Sequence, residues 1–290
     1  MKKGVRICLI CFLVLVLLAS ICAMIYPLFY SWYSQRHNSE LKTEYQDQLK
    51  ELDDLKRQAA LIAAQEYNSK LFAGNFSPLE YEQNGYHGLL NITGTGIMGF
   101  LDIPKIRVSL PIYHGIGAEV LAVGVGHLPQ TSLPVGGESC HAVLSAHTGT
   151  TSQPLFTDLI LMEVGDLFYL TVLGEKLTYQ VDQITTVLPQ QVDDIQIHHG
   201  EDYITLVTCT PYGVNSHRLL VRGTRIHPEE STDPADPEAT KGLENMDQPE
   251  ATSVWMQHYL QGILYGTGIA TVLILLLVVI RHFKKRRKTH

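Results

Sequence analysis

A thiol and a guanidinium in the second half of the chain have the spacing to do chemistry together. Cys209 closes the run YITLVTC just before Thr210-Pro211-Tyr212-Gly213, where the chain must leave a sheet, and Arg218 follows nine residues later. With a period of two, Tyr203, Thr205, Val207 and Cys209 share one strand face, so the thiol stands at its rim. A thiolate is a strong nucleophile, and a thioester formed on it keeps the energy of a peptide bond available to an incoming amine. A nearby guanidinium lowers a thiol pKa and donates two hydrogen bonds to a developing oxyanion. On its own the pair also fits a solvated strand arginine. Cys8, Cys11 and Cys22 lie in an N-terminal apolar run, which leaves Cys140, in the polar turn VGGESCHA, as the other cysteine outside it. A Cys140–Cys209 disulfide in an oxidising compartment is therefore the competing expectation. No Cys-x-x-Cys pair exists outside the apolar run, so neither a metal site nor any other cofactor is expected.

Residue type alone does not select an acid/base partner, because eleven histidines run from His37 to His258. His147 ends the apolar run AVLSA directly before a Thr-Gly turn, a rim position like that of Cys209. His217 is nearer in sequence, but alternation puts neighbours His217 and Arg218 on opposite faces. His198-His199 is followed at once by Gly200 and has no third ligand at useful spacing, which suits an exposed turn. Thr208 faces away from Cys209, yet its backbone N–H lies near the thiol, which gives it either a supporting role at the oxyanion or one in simple strand pairing. Asn215 suits a turn cap.

These residues need a scaffold of strands. Between residues 97 and 226 short β-type runs alternate with turn residues: IMGFLDI, VSLPIY, AVLSA, DLFYLTVL, KLTYQVDQITTVL, YITLVTC and SHRLLVRGTRI. With one helical stretch, near residues 118–123, this predicts a mainly β barrel or sandwich rather than a parallel α/β sheet. Residues 39–73 lack Gly and Pro and space Leu41, Tyr45, Leu49, Leu52, Leu55, Ala59 and Ile62 by three or four, predicting one amphipathic helix. Residues 74–96, rich in Gly, Asn and Pro, read as a long surface loop. Residues 227–250 carry four prolines and eight acids against Lys241 and read as a linker.

Two apolar segments flank this region. Residues 7–33 begin with an uncharged apolar run that ends in Tyr26, Tyr30, Trp32 and Tyr33, an interfacial aromatic belt; residues 254–280 form the second. A cleaved signal peptide is the alternative for the first, but its apolar run is longer than a signal core. Nine of the 22 basic residues sit at the extremes, in residues 1–6 and 281–290, with no acid beside them. Both termini are thus expected in the cytoplasm and residues 39–250 outside the cell. The stretch between carries 13 basic and all 29 acidic residues, a charge of −16 that excludes nucleic-acid binding there.

Taken together, TLVTCTPYGVNSHRLLVRGTR, AVLSAHTGTTSQPLFTDL and LPIYHG resemble the sortases, and among them the class C, pilin-polymerising enzymes of Gram-positive bacteria. The resemblance covers residues 97–226 and implies an eight-stranded sortase-type β-barrel with an N-terminal helix and loop and two flanking transmembrane helices. It further implies a cysteine transpeptidase with Cys209 as nucleophile, His147 as acid/base and Arg218 as substrate and oxyanion stabiliser. Such an enzyme cleaves an LPxTG-like sorting signal between Thr and Gly and passes the acyl group to an amine, a pilin lysine in class C. Its implied partners are pilin or surface-protein substrates, an amine acceptor and membrane lipid. A housekeeping sortase using cell-wall peptide as acceptor is the alternative within the family, and a non-catalytic tethered β-domain with the Cys140–Cys209 bridge the alternative outside it. Class C enzymes usually carry a lid with an Asp-Pro-aromatic motif. Here the stretch AGNFSPLEY offers Ser77, Pro78 and Leu79 instead, with Phe76 or Tyr81 as substitute covers for the thiol and Glu80 as a substitute partner for Arg218.

Overall fold

The computed structural model describes residues 3–75, 77, 80, 82–148, 153–191, 193–227 and 253–286. It divides into two compact units, Pro27–Gln248 and, together, Met1–Tyr26 with Pro249–His290.

In the first unit the strands are β1 (Ile97–Ile103), β2 (Val108–His114), β3 (Val125–His127), β4 (Cys140–Ser145), β5 (Leu167–Val172), β6 (Glu175–Val187), β7 (Asp202–Thr210) and β8 (His217–Ile226). They close into a barrel in the order β1-β2-β3-β4-β7-β8-β6-β5. The β2/β3 and β4/β7 pairs are parallel and the other neighbours antiparallel. Seven of these strands coincide with β-type runs in the sequence. The eighth, β3, is a buried Val-Gly-His of three residues, too short to show alternation, and is held by its two neighbours. Ala142, Leu144, Ile204, Leu206, Leu219 and Val221 enter the core. The alternate positions Val143, Thr205, Val207, Cys209, Arg218 and Leu220 therefore share the outer face. Close packing inside leaves no room at Gly223, where a Cβ would stand 2.5 Å from the Phe168 ring.

Helix α1 (Lys3–Glu51) carries the N-terminal apolar run and then an amphipathic stretch. Tyr45 and Leu49 bury themselves against Ile97 and Phe100. The Tyr45 hydroxyl donates to Met98 O at 3.3 Å and accepts from Leu173 N, and Lys42 pairs with Asp102 at 2.7 Å. The single helix expected over residues 39–73 is in fact two. Asp53 takes an extended conformation, its carboxylate accepts from Leu55 N, and α2 (Asp54–Phe72) starts afresh. The break resets the helical phase. Leu55 and Ile62, counted on the apolar stripe, are 72% and 57% exposed, while α2 buries Ala64, Tyr67, Asn68 and Leu71. The missed signal was an Asp whose side chain competes for the backbone, a capping residue inside a Gly-free run. Residues 82–96 also differ from a plain surface loop. Tyr86 is fully buried, its hydroxyl within 2.8 Å of His127 Nδ1. Between β2 and β3 lies the short α3 (Ala118–Leu121).

Among the described helices, α1 is long and apolar enough to cross a membrane: within Val14–Glu51 its most apolar stretch has a mean hydropathy of 2.1 and is 6% buried. A further helix, α4 (Val254–Arg286), covers the second apolar segment and exposes Leu260, Leu264, Ile269, Val272 and Leu276. The linker at residues 228–250 lies outside the described residues.

Candidate active site

The two strands that carry the candidate thiol and guanidinium are direct neighbours. In the β7/β8 ladder Cys209 is opposite Arg218, and Thr210 is opposite His217. On the other side of β7, the parallel ladder with β4 sets Ser145 opposite Val207, and the next amide, Ala146 N, donates to Val207 O at 3.2 Å. β4 ends at Ser145, two residues before His147. Adjacent strands lie ~4.8 Å apart, so Cys209 and Arg218 stand side by side on β7 and β8. Cys209 is half-buried and unbridged, His147 exposed and Arg218 half-buried.

Thr208 holds the chain at the end of β4. Its side chain is buried, and its hydroxyl donates to Ala146 O at 2.8 Å, fixing the end of β4 one residue before His147. The supporting role expected of the Thr208 backbone is thus accompanied by a tether from its side chain. The carbonyl of His147 accepts from Phe156 N at 3.1 Å, closing the loop that follows. Arg218 Nη1 donates to Asn215 O at 3.2 Å and His217 O at 3.0 Å, so its guanidinium is braced on its own turn. Asn215 adopts a left-handed conformation there, as a turn residue should.

Two expectations fail. The Cys140–Cys209 bridge is excluded, because Cys140 pairs with Asp202 at the opposite end of β7, seven residues from Cys209. At ~3.3 Å per residue that is about 23 Å, against the ~4.4–6.8 Å between Cα atoms that a disulfide spans. Both thiols are free. Burial, with the Asp202 carboxylate close by, pushes the Cys140 thiol up to about 11, so it is inert at neutral pH. The tethered β-domain with that bridge is removed with it. Nor does Glu80 meet Arg218: its carboxylate accepts from Ser77 N at 3.2 Å, and no salt bridge reaches Arg218 among the described residues. Phe76, Pro78, Leu79 and Tyr81 of the lid-like loop lie outside the described residues.

Two other histidines are unsuited to proton transfer. His127 and His141 are fully buried, and burial holds both rings down to about 4. His217 pairs with Ser216 Oγ at 2.9 Å, and His198 and His199 are exposed. Among the described residues no group of His, Cys, Asp and Glu suits a metal ion.

His141 was missed as a structural element of the site's face. It shares the outer side of β4 with Val143 and Ser145, yet the imidazole is entirely covered. The cover is the β6–β7 connection: Nδ1 lies 2.8 Å from Gln196 O, which can only accept, so Nδ1 carries the proton and Nε2 accepts from Thr205 Oγ1 at 2.7 Å. Next to it Arg222 forks onto Asp182 and covers the Tyr203 ring at 4.3 Å. Alternation put His141 on this face; only the fold revealed its partner from another connection.

Comparison with known proteins agrees with this fold. Residues 101–226 match the family model for the Sortase domain. Sortase C1 of Streptococcus agalactiae superposes with a TM-score of 0.61 at 45% identity, over 65% of this chain and 98% of that one. The Clostridium perfringens sortase C solved with the C-terminal cell wall sorting motif gives 0.58 at 41% identity, over 65% and 99%. Among curated relatives, sortase A of Streptococcus agalactiae is 34% identical over 118 residues, 39% of this chain and 47% of that protein. Sortase D of Bacillus subtilis is 31% identical over 131 residues, 44% and 63%. The chain spans less than two thirds of the length of either curated relative.

Proposed function

The chain belongs to the sortase family, class C, and from that premise we propose that it is a membrane-anchored cysteine transpeptidase acting outside the cell on an LPxTG-like sorting signal. The cross-strand pair Cys209–Arg218, with His147 two residues past the end of β4, carries this reading. The Cys209 thiolate attacks the carbonyl carbon of the signal's Thr. A tetrahedral oxyanion forms and takes hydrogen bonds from the Arg218 guanidinium, which must turn from the Asn215 and His217 carbonyls to give them. The Thr–Gly C–N bond then breaks, and protonated His147 gives its proton to the departing glycine amine, leaving a thioester on Cys209 and a neutral imidazole. An acceptor amine loses a proton to His147 and attacks the thioester, an amide forms and the thiolate is restored. The acceptor is a pilin lysine in this reading, supported by the 40–45% identity with sortase C structures, one of whose descriptions names pilin substrate specificity. Cell-wall peptide is the second acceptor to consider, since curated matches include sortase A.

Anchoring follows from the two apolar helices. α1 and α4 each cross the membrane once, with the basic extremes of the chain in the cytoplasm. The decisive experiment incubates the full chain with an LPxTG-type peptide, without an amine, and weighs the intact protein. A peptide adduct that disappears in Cys209→Ala supports the assignment; an adduct retained in that variant refutes it. Adding a pilin-derived lysine peptide or a cell-wall peptide then identifies the acceptor by which amide product accumulates.

A further inference from the structure

Along α1, Ser31, Ser34, Asn38, Leu41, Tyr45 and Leu49 recur every three or four residues and so lie on one helix face. The lower part of that face is apolar and rests on Ile97 and Phe100. The upper part is polar and nevertheless covered, with Ser31 and Asn38 both buried. Covered polar groups need partners. Gln153, 4% exposed, supplies one: its Oε1 accepts from Ser34 Oγ at 2.5 Å while its Nε2 donates to Ala122 O at 2.7 Å. Both ends of the amide are thereby engaged. Ala122 closes α3 just before β3, and β3 pairs with the end of β4 through Gly126 and Ser145. Gln153 lies three residues before Phe156, whose N–H donates to the His147 carbonyl.

We propose that Gln153 is a positioning residue for His147, and that the Ser34 segment of α1 is its support, so that the helix continuing from the anchor forms part of the catalytic scaffold. The proposal rests on the assignment of His147 as acid/base. On the β7 side, His147 is located by Val207 O and Thr208 Oγ1, which hold Ala146. On the other side the His147 carbonyl is held by Phe156 N, and Gln153 anchors the segment that leads into Phe156. An exposed imidazole has little packing to orient it, so its aim follows the backbone that these ties fix.

The test uses the full chain in lipid nanodiscs, an LPxTG-type fluorogenic peptide and a simple amine acceptor. Gln153→Ala is expected to lower kcat about tenfold with KM changed less than about twofold, since a displacement on the order of 1 Å at a catalytic group has effects of this size or larger. Ser34→Ala should lower kcat about threefold, and the double variant should be no slower than Gln153→Ala. In a His147→Ala background, Gln153→Ala should cause no further loss, whereas a general structural defect would compound. Additive losses in that background, or unchanged kcat in both single variants, overturn the inference. Should Gln153→Ala fail to fold, Ser34→Ala decides alone: a kcat equal to that of the unaltered chain overturns it. Full activity in His147→Ala would instead remove the acid/base assignment on which the inference rests.

Discussion

Lowering the pH from 7 to 5 should destabilise the barrel through two histidines that take no part in the chemistry. His127 is enclosed, with Nε2 on Ser132 O at 2.7 Å and Nδ1 on the Tyr86 hydroxyl; His141 is enclosed between Gln196 O and Thr205 Oγ1. Burial is the main cause that lowers both to about 4, and the Arg222 and His198 charges add to it at His141. In the unfolded chain each returns to the ordinary value near 6.5. Between 6.5 and 4 the unfolded state therefore binds more protons, so stability is complete above about pH 6.5 and is lost as pH falls toward 4. From pH 7 to 5 the loss is about 2 kcal/mol per histidine, or about 4 kcal/mol for the pair. That is a large part of the ~5–15 kcal/mol typical of a domain. The buried Asp202, whose carboxyl burial raises, works in the opposite direction. Comparing two proteins over the same pH range cancels it. His141→Asn should lower stability at pH 7 by about 2–4 kcal/mol, because Thr205 Oγ1 and Gln196 O lose partners and a void remains. Its loss between pH 7 and 5 should nevertheless be about 2 kcal/mol smaller than that of the unaltered chain. Urea unfolding followed by near-ultraviolet circular dichroism at the two pH values measures both. An identical pH-dependent loss in the two proteins would refute the claim that His141 is held neutral by burial.

Three further outcomes follow from the site. A thiol reagent at neutral pH should label Cys209 and spare Cys140 in the folded barrel, so that Cys209→Ala removes the labelled tryptic peptide and urea exposes Cys140; prompt labelling of Cys140 would contradict its burial. Thr208→Val should cost about 1–3 kcal/mol by leaving the Ala146 carbonyl unpaired, and should lower kcat as the β4 end loosens, whereas Thr208→Ser restores both; equal melting temperatures and rates for Val and Ser would count against the tether. Phe76→Ala should increase the rate at which Cys209 reacts with the same reagent, and an unchanged rate would show that Phe76 does not cover the thiol.

The barrel was legible because its strands are separated by turn residues and most are long enough to show a period of two. β3 escaped detection because three residues show no period and its pairing depends on distant neighbours. The interruption at Asp53 was missed because a Gly-free and Pro-free run looks continuous until the capping side chain is recognised. In the site, Cys209 and Arg218 were linked through one strand connection, which the sequence shows directly. His147 is 62 residues from Cys209 in the chain, and composition offered no reason to prefer it over other histidines; the resemblance singled it out.

By itself, the order of residues determined the apolar segments, the alternation of the strands and the thiol and guanidinium at neighbouring strand ends, because all of these depend on local spacing. The tertiary structure decided that Cys140 is about 23 Å from Cys209, that the β6–β7 connection covers His141, and that Gln153 ties Ser34 to Ala122. Parallel pairing of β4 with β7 and docking of α1 onto the barrel join segments with no periodic relation in sequence, so only closure of the sheet brings them together.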